Sequence, residues 1–529
     1  LGFLLHHSIT ESAEQAPEHE AFRCDGEALS YGELEQRSNR VARWLLERGL
    51  ERSDRVGLYL NKSLELPVAL YGILKAGGAY VPIDPAAPRS RVEFVLNDCG
   101  VRHLVTHDSK VRNVADWAAD EVADRAILGC GDPSVGVSGR FTSWADLETL
   151  DASDPAVQAT ELDLAYIMYT SGSTGTPKGL MHTHASGLAY ARMSGAVYEV
   201  CPEDRLGNHS PLHFDMSTFE YLTGPLFGST TVILPEEATM FPVELARIIA
   251  EERLTHWYSV PLALIQLVHV EGIEAYDHSS LRWVLFGGEP FPPKVLWRLM
   301  ELWPEAQFSN SYGPAEVNQC TYFHVPRARA GSTEPIPIGR VWPGAEGLIV
   351  DTEDREVAGG ENGELLIRAP TMMRGYWARP DLNEEAFFRR ERSSGFEEVY
   401  YRTGDLVREG ADGELEFLGR RDRQIKIRGY RVELDEVENV ITTLDGVREG
   451  AAIALTDADG QKEIHAAVLP VDNHKLDPDT LRRSAAEKLP GYAVPKQVWI
   501  RQAFPRTGSG KIDRRGLAEE LDADVSAPD

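Results

Sequence analysis

The run Ala165-Tyr-Ile-Met-Tyr169 is apolar without a break and passes directly into Thr170-Ser171-Gly172-Ser173-Thr174-Gly175-Thr176-Pro177-Lys178-Gly179. An unbroken apolar run suits a strand buried on both faces, as in a parallel sheet covered by helices. The loop leaving that strand is built for an anion. Glycines let the backbone approach a phosphate with its N–H groups forward, the hydroxyls add donors and Lys178 adds a charge. The Gly-to-Lys spacing is too short for a Walker A loop, and Gly179 stands where that motif needs Ser or Thr. The same composition also serves plain surface connections, which are commoner than nucleotide sites.

The rest of the chain keeps the rhythm that this strand implies. From Tyr31, the positions Leu34, Arg37, Val41 and Leu45 with Gly49 at the end predict an amphipathic helix with a glycine stop. Val56–Leu60, His103–Thr106, Thr230–Leu234 and Trp283–Phe286 read as buried strands. Alternation of helices and strands predicts α/β layers with mostly parallel strands. Residues 113–160 show no period and read as a surface excursion. Between Pro335 and Trp377 short strands and turns predict a small barrel-like β subdomain, and from Val437 onward helix, strand, strand, helix, strand predicts a compact α+β domain. At 529 residues the chain is too long for one core.

Charge narrows the partners. Lys plus Arg number 54 against 83 Asp plus Glu, a net charge of −29, which disfavours nucleic acid or an anionic membrane. Cys24, Cys99, Cys130, Cys201 and Cys320 lack any paired spacing, so neither a zinc site nor a disulfide framework is indicated. No apolar run is long enough to span a bilayer, and Leu1–Leu5 lacks the flank of a signal peptide, so a cytoplasmic protein is expected. His182 and His184 lack the spacing of a metal pair and read as solvated or structural.

The word TSGSTGTPKG resembles the signature loop of the adenylate-forming superfamily, which includes acyl-CoA synthetases, luciferase and the adenylation domains of nonribosomal peptide synthetases. Further words agree in order: Leu74-Lys-Ala-Gly-Gly-Ala-Tyr-Val-Pro-Ile-Asp-Pro85, Phe214-Asp-Met-Ser217, Asn310-Ser-Tyr-Gly-Pro-Ala-Glu316, Tyr401-Arg-Thr-Gly-Asp405, Gly419 to Glu433 and Gly508-Ser-Gly-Lys511. The resemblance covers the chain from Tyr31 to Arg514. It implies ATP binding by Thr170, Ser171, Gly172, Ser173, Thr174, Gly175, Lys178, Tyr312 and Asp405, with Tyr312 near the adenine and Asp405 on the ribose. It also implies Mg²⁺ on Glu316 and catalysis by Lys511, Glu316 and Lys178. Asp422 would be the hinge between a domain of residues 1–421 and a mobile lid of residues 422–529.

Asp215 is the residue that speaks to substrate. By the residues alone it reads as a helix N-cap, it or Ser217 capping Thr218–Leu222; by the resemblance it binds the ammonium of an amino acid. The same pattern puts Met216, Phe219, Ser259, Leu285, Gly287, Ser311, Gln319 and Cys320 around the side chain, which predicts a medium-sized, neutral and mostly apolar α- or β-amino acid. The implied reaction is adenylation followed by transfer to the phosphopantetheine thiol of a carrier protein in natural-product biosynthesis. An acyl- or aryl-CoA ligase and a non-catalytic nucleotide-binding paralogue are the alternatives. The chain ends 18 residues after Lys511, which predicts a stand-alone enzyme or one excised from a synthetase. One position departs from the pattern: Ala315 stands where a Thr hydroxyl would meet the α-phosphate, a bond worth about 1–2 kcal/mol that bears on rate rather than on reaction. The basic stretch Arg420 to Arg431 is read as a further docking surface for an acidic carrier.

Overall fold

Tyr31–Glu47 forms the helix its periodicity predicts, and Ser30 starts it: its hydroxyl accepts Glu33 N–H while the Glu33 carboxylate accepts Ser30 N–H. Leu34, Val41 and Leu45 face inward, and Gly49 follows with a positive φ. This computed structural model describes residues 2–110, 125–129, 141–172, 176–392, 395–457, 461–471, 474–506 and 512–526. They form two compact units, Leu1–Pro85 with Leu96–Tyr169 and Gly179–Arg421, and Ala86–Val95 with Thr170–Lys178 and Asp422–Asp529.

The first unit is built on two large sheets. One runs, in spatial order, Arg340–Val341, Thr321–His324, Gln307–Tyr312, Trp283–Gly287, His256–Ser259, Arg205–Asn208, Thr230–Ile233, Glu20–Cys24 and Glu27–Ser30. Its six middle strands, from Gln307–Tyr312 to Glu20–Cys24, are parallel and its edges antiparallel. The other orders Gly375–Tyr376, Lys178–Thr183, Leu164–Thr170, Ala79–Pro82, Arg55–Tyr59, His103–Thr106, Ala126–Leu128 and Phe141–Thr142. One core joins them: Phe22 of the first sheet, Val56, Tyr80 and Tyr166 of the second, and Val41 and Leu70 from the helices Tyr31–Glu47 and Glu65–Lys75. The latter helix is buried almost all round, so Lys75 inside it needs partners and has them in the Glu35 carboxylate (2.6 Å) and Asn39 Oδ1 (2.6 Å). The word from Leu74 to Pro85 is thus a helix end and a strand, as its residues indicate.

The β subdomain is organised by one long strand, Glu397–Glu409. Asn362–Arg368 pairs along one edge of it, and Phe387–Glu391 and Leu415–Arg420 share the other, so the sheet wraps round that strand. The second unit carries the hairpin Gln424–Ile427 and Tyr430–Glu433 and a three-stranded sheet of Val447–Thr456, Lys462–Pro470 and Gln497–Ile500. Helices Leu434–Thr442 and Pro478–Ala486 fill one core of this unit, and Leu517 and Leu521 of Arg514–Ser526 fill another. That last helix goes beyond the sequence reading. So do Ala126–Leu128 and Phe141–Thr142, which extend the second sheet from within the supposed excursion. No helix among the described residues is long and apolar enough to cross a membrane.

Candidate active site

In the first unit Ser259, Gly287 and Tyr312 end parallel strands and Glu316 follows one, the position where open α/β sheets bind ligands, whereas Asp405 comes from the antiparallel β subdomain. Tyr312 ends Gln307–Tyr312, and its hydroxyl donates to Asp405 Oδ2. Asp405 is buried and lies within the strand Glu397–Glu409. Gly404, at φ +72°, breaks the strand's register against Asn362–Arg368 and gives its N–H to Glu364 Oε1 (3.1 Å). Thr403 Oγ accepts Asp405 N–H (3.0 Å), and Arg420 donates to Asp405 Oδ1 (2.7 Å). The carboxylate is therefore charged, fixed and beside an aromatic ring, an arrangement suited to a nucleoside.

Glu316 is fully buried, and its carboxylate is aimed by the Tyr376 hydroxyl (2.8 Å to Oε1) while Met373 N–H holds its carbonyl (2.7 Å). His182 supports the preceding residue. Its Nε2–H donates to Ala315 O (3.1 Å) and its ring stacks on Tyr166 at 4.8 Å. Burial pushes the imidazole down to about 4, so it is neutral near pH 7. It lies on the strand Lys178–Thr183 and not in a helix, and it and His184 are buried, so the solvated alternative falls away. The His182 bond reaches the position where this chain has Ala315, next to Glu316, a link that spacing alone does not reveal.

Asp215 opens a short turn, Asp215–Ser217, ahead of a π-helical turn, Phe219–Thr223. Neither Asp215 nor Ser217 caps that second turn. Asp215 Oδ1 accepts Met216 N–H (3.1 Å), and the Ser217 hydroxyl is spent on Phe214 O (2.6 Å). The Asp215 carboxylate instead lies close enough to Tyr166 and Tyr258 to disfavour ionising either phenol, next to the larger effect of their burial. Phe219, Leu285 and Tyr258 share one cluster with Tyr190, Tyr198, Trp283 and Trp342, and Met216 packs against it. Gly287 and Ser311 are paired across neighbouring strands, and Gln319 and Cys320 are buried just past Glu316. Ser259 points its hydroxyl elsewhere, accepting Trp257 Nε1–H (2.8 Å) and donating to Val260 O (3.1 Å). Tyr258, one residue earlier, takes its place on the aromatic face.

In the second unit the backbone at Gly172 lies close against that of Thr176. A Cβ on Gly172 would stand 2.1 Å from Thr176 O, so glycine is required there. Ser171 Oγ donates to Arg431 O (2.8 Å), and Thr170 Oγ is buried with no hydrogen-bond partner among the described residues. Lys178 is half-buried; Ser173, Thr174, Gly175 and Lys511 lie outside the described residues. Asp422 is exposed and accepts Gln424 N–H (3.1 Å). The arginines about it are committed: Arg420 to Asp405, Arg421 to Glu364, Arg423 to Asp435 and Glu438. Carboxylates of this chain thus already pair with these three guanidiniums of the basic stretch.

Residues 9–377 match the family described as AMP-binding enzyme, and residues 436–511 match the AMP-binding enzyme C-terminal domain. Over 519 residues the chain is 32% identical to the L-proline–(L-prolyl-carrier protein) ligase of Pseudomonas fluorescens, with 98% of this chain and 99% of that protein covered. It is 32% identical over 519 residues to gramicidin S synthase 2 of Aneurinibacillus migulanus, where 96% of this chain spans only 11% of the relative. The solved structure of the amide bond synthetase McbA from Marinactinospora thermotolerans matches with a TM-score of 0.84 at 25% identity, covering 98% of this chain and 99% of that one.

Proposed function

This chain belongs to the AMP-binding enzyme family, and on that premise we propose that it activates an amino acid with ATP and passes the aminoacyl group to the phosphopantetheine thiol of a carrier protein. The observation that carries the amino acid is Asp215: a half-buried carboxylate beside the aromatic cluster, close enough to Tyr258 to disfavour ionising its phenol, where the substrate's ammonium would meet a negative charge. The near full-length match to a ligase acting on L-proline and its carrier supports the second half.

In this reading Asp405 accepts both ribose hydroxyls and Tyr312 lies along the adenine, each already held by the other. Thr170, Ser171, Gly172, Ser173, Thr174, Gly175 and Lys178 hold the departing phosphates. Among the described residues no cluster of three or more His, Cys, Asp or Glu side chains could cage a metal. A single hard carboxylate at Glu316 nevertheless fits Mg²⁺, which takes one or two carboxylates and fills the rest of its shell with phosphate and water. Bound there, Mg²⁺ would neutralise charge on the triphosphate. The substrate carboxylate attacks the α-phosphorus, the bond to pyrophosphate breaks, and Lys511 balances charge on the reacting oxygens. The chain then turns about Asp422, residues 422–529 moving as a lid, and the carrier thiol displaces AMP to leave a thioester.

Amino-acid-dependent ATP–pyrophosphate exchange over α-amino, β-amino, aryl and fatty acids tests this directly. Exchange with an amine-bearing acid, lost in Asp215→Ala, is the expected result. Exchange with amine-free acids alone would move the chain to the CoA ligases.

A further inference from the structure

The aromatic cluster beside Asp215 has polar atoms left open inside it. Gln319, 4% exposed, donates its Nε2–H to the Tyr258 hydroxyl (2.5 Å), but its Oε1 has no partner among the described residues. Ser311, 2% exposed, also has its Oγ without a partner. That oxygen lies near enough to the phenols of Tyr258 and Tyr198 to favour their ionised forms, yet makes a well-formed hydrogen bond to neither. Turning the Gln319 amide over does not close the count: Oε1 would take the Tyr258 proton and Nε2 would stand open instead. The open Tyr198 hydroxyl belongs to the same cluster.

Resting on the amino acid reading above, we propose that the side chain of the substrate ends in a neutral hydroxyl group received by Gln319 and Ser311. The sequence alone predicts a mostly apolar side chain, and the walls supplied by Phe219, Leu285 and Met216 agree with an apolar stem. At its end, however, an apolar group would seal Gln319 Oε1 and Ser311 Oγ from water and from any partner, leaving two buried polar groups unsatisfied. A charged group fares no better, because Asp215 is taken by the substrate's own ammonium and neither Gln319 nor Ser311 carries a charge. A hydroxyl donates to Oε1 and accepts from Ser311 Oγ–H; with the amide turned over, it accepts from Nε2–H and donates to Ser311 Oγ instead.

The discriminating experiment is exchange kinetics on matched pairs, tyrosine against phenylalanine and threonine against valine, in α- and β-amino forms, with wild type, Ser311→Ala and the double variant Ser311→Ala with Gln319→Met. A site built around a substrate hydroxyl rejects the analogue lacking it strongly, so kcat/KM for one hydroxylated acid should exceed that of its partner by at least about 100-fold. The preference should fall toward parity in the double variant. Ser311→Ala should cost kcat/KM on the hydroxylated acid without lowering Tm, since it deletes an unpaired buried hydroxyl; a core serine would show the reverse. Equal or better use of the apolar partners by wild type overturns this inference and leaves amino acid activation standing. No exchange with any hydroxylated member of the pairs also overturns this inference, and exchange with amine-free acids alone in the wider panel above overturns the amino acid reading and this inference with it.

Discussion

At the scale of single residues, the site's electrostatics are set by burial first and by partners second. Glu220 follows Phe219 in the π-turn. Burial pushes its carboxyl up to about 8, against smaller opposing effects from the Asn208 amide (3.3 Å) and the Lys62 ammonium. Lys62 is itself pushed down to about 8 by burial, and it gives protons to Asn208 O (3.1 Å) and His209 O (2.5 Å), at the end of the strand that leads to Asp215. A raised folded-state pKa means that the folded chain holds a proton the unfolded chain has lost. The contribution of Glu220 is therefore complete below the ordinary carboxyl range and is lost as pH rises through 8. Glu220→Gln should remove a loss on the order of a few kcal/mol between about pH 5 and 8, read as the difference between the two proteins in denaturant unfolding at both pH values. His182, His184 and His209, all held neutral by burial, tilt both proteins alike in the opposite sense below pH 6.5 and cancel in that difference. Parallel stability curves for the two proteins would refute the assignment. Asp405→Asn tests the nucleoside side. It leaves the Arg420 guanidinium without its ion pair, costing about 1–3 kcal/mol, and KM for ATP should rise while KM for the amino acid holds; a matched rise in both would show a general loss of structure.

Secondary-structure elements were legible where a local rule and the tertiary demand coincide. The helix Tyr31–Glu47 is such a case: period, capping box and glycine stop all lie within or beside its own residues. Ser30→Ala should cost about 1 kcal/mol in denaturant unfolding with exchange activity unchanged, and no loss at all would mean that the packing of Leu34, Val41 and Leu45 alone holds the helix. The elements missed are those that depend on neighbours. Ala126–Leu128 is a strand because His103–Thr106 offers an edge, and Phe141–Thr142 because Ala126–Leu128 then offers the next; two or three residues carry no period of their own. Thr-Gly-Asp is turn chemistry by its residues, yet the one strand Glu397–Glu409 carries the chain straight through Gly404. Arg514–Ser526 did carry a signal, Leu517 and Leu521 at i, i+4, but surrounding charge masks it.

At the scale of the whole molecule, the words of the sequence name candidate residues, whereas their pairings come only from the fold: Arg420 on Asp405, Tyr376 on Glu316, His182 on Ala315 and Gln319 on Tyr258 each join distant segments. The two-step chemistry proposed above has residues 422–529 turn as a lid between its steps. The turning point assigned to Asp422 can be tested on its own. Proline fixes φ near about −65° and so removes the freedom a pivot needs. Asp422→Pro also deletes the carboxylate that accepts Gln424 N–H, a loss that Asp422→Ala reproduces with φ left free. Comparing the two separates pivot from turn. Asp422→Pro should hold at least one step near the wild-type rate and slow the other by at least about 10-fold, as read by pyrophosphate exchange and by loading of a carrier thiol, while Asp422→Ala should spare both. If both variants lose both steps together, Asp422 serves the hairpin that comes after it and the pivot lies elsewhere.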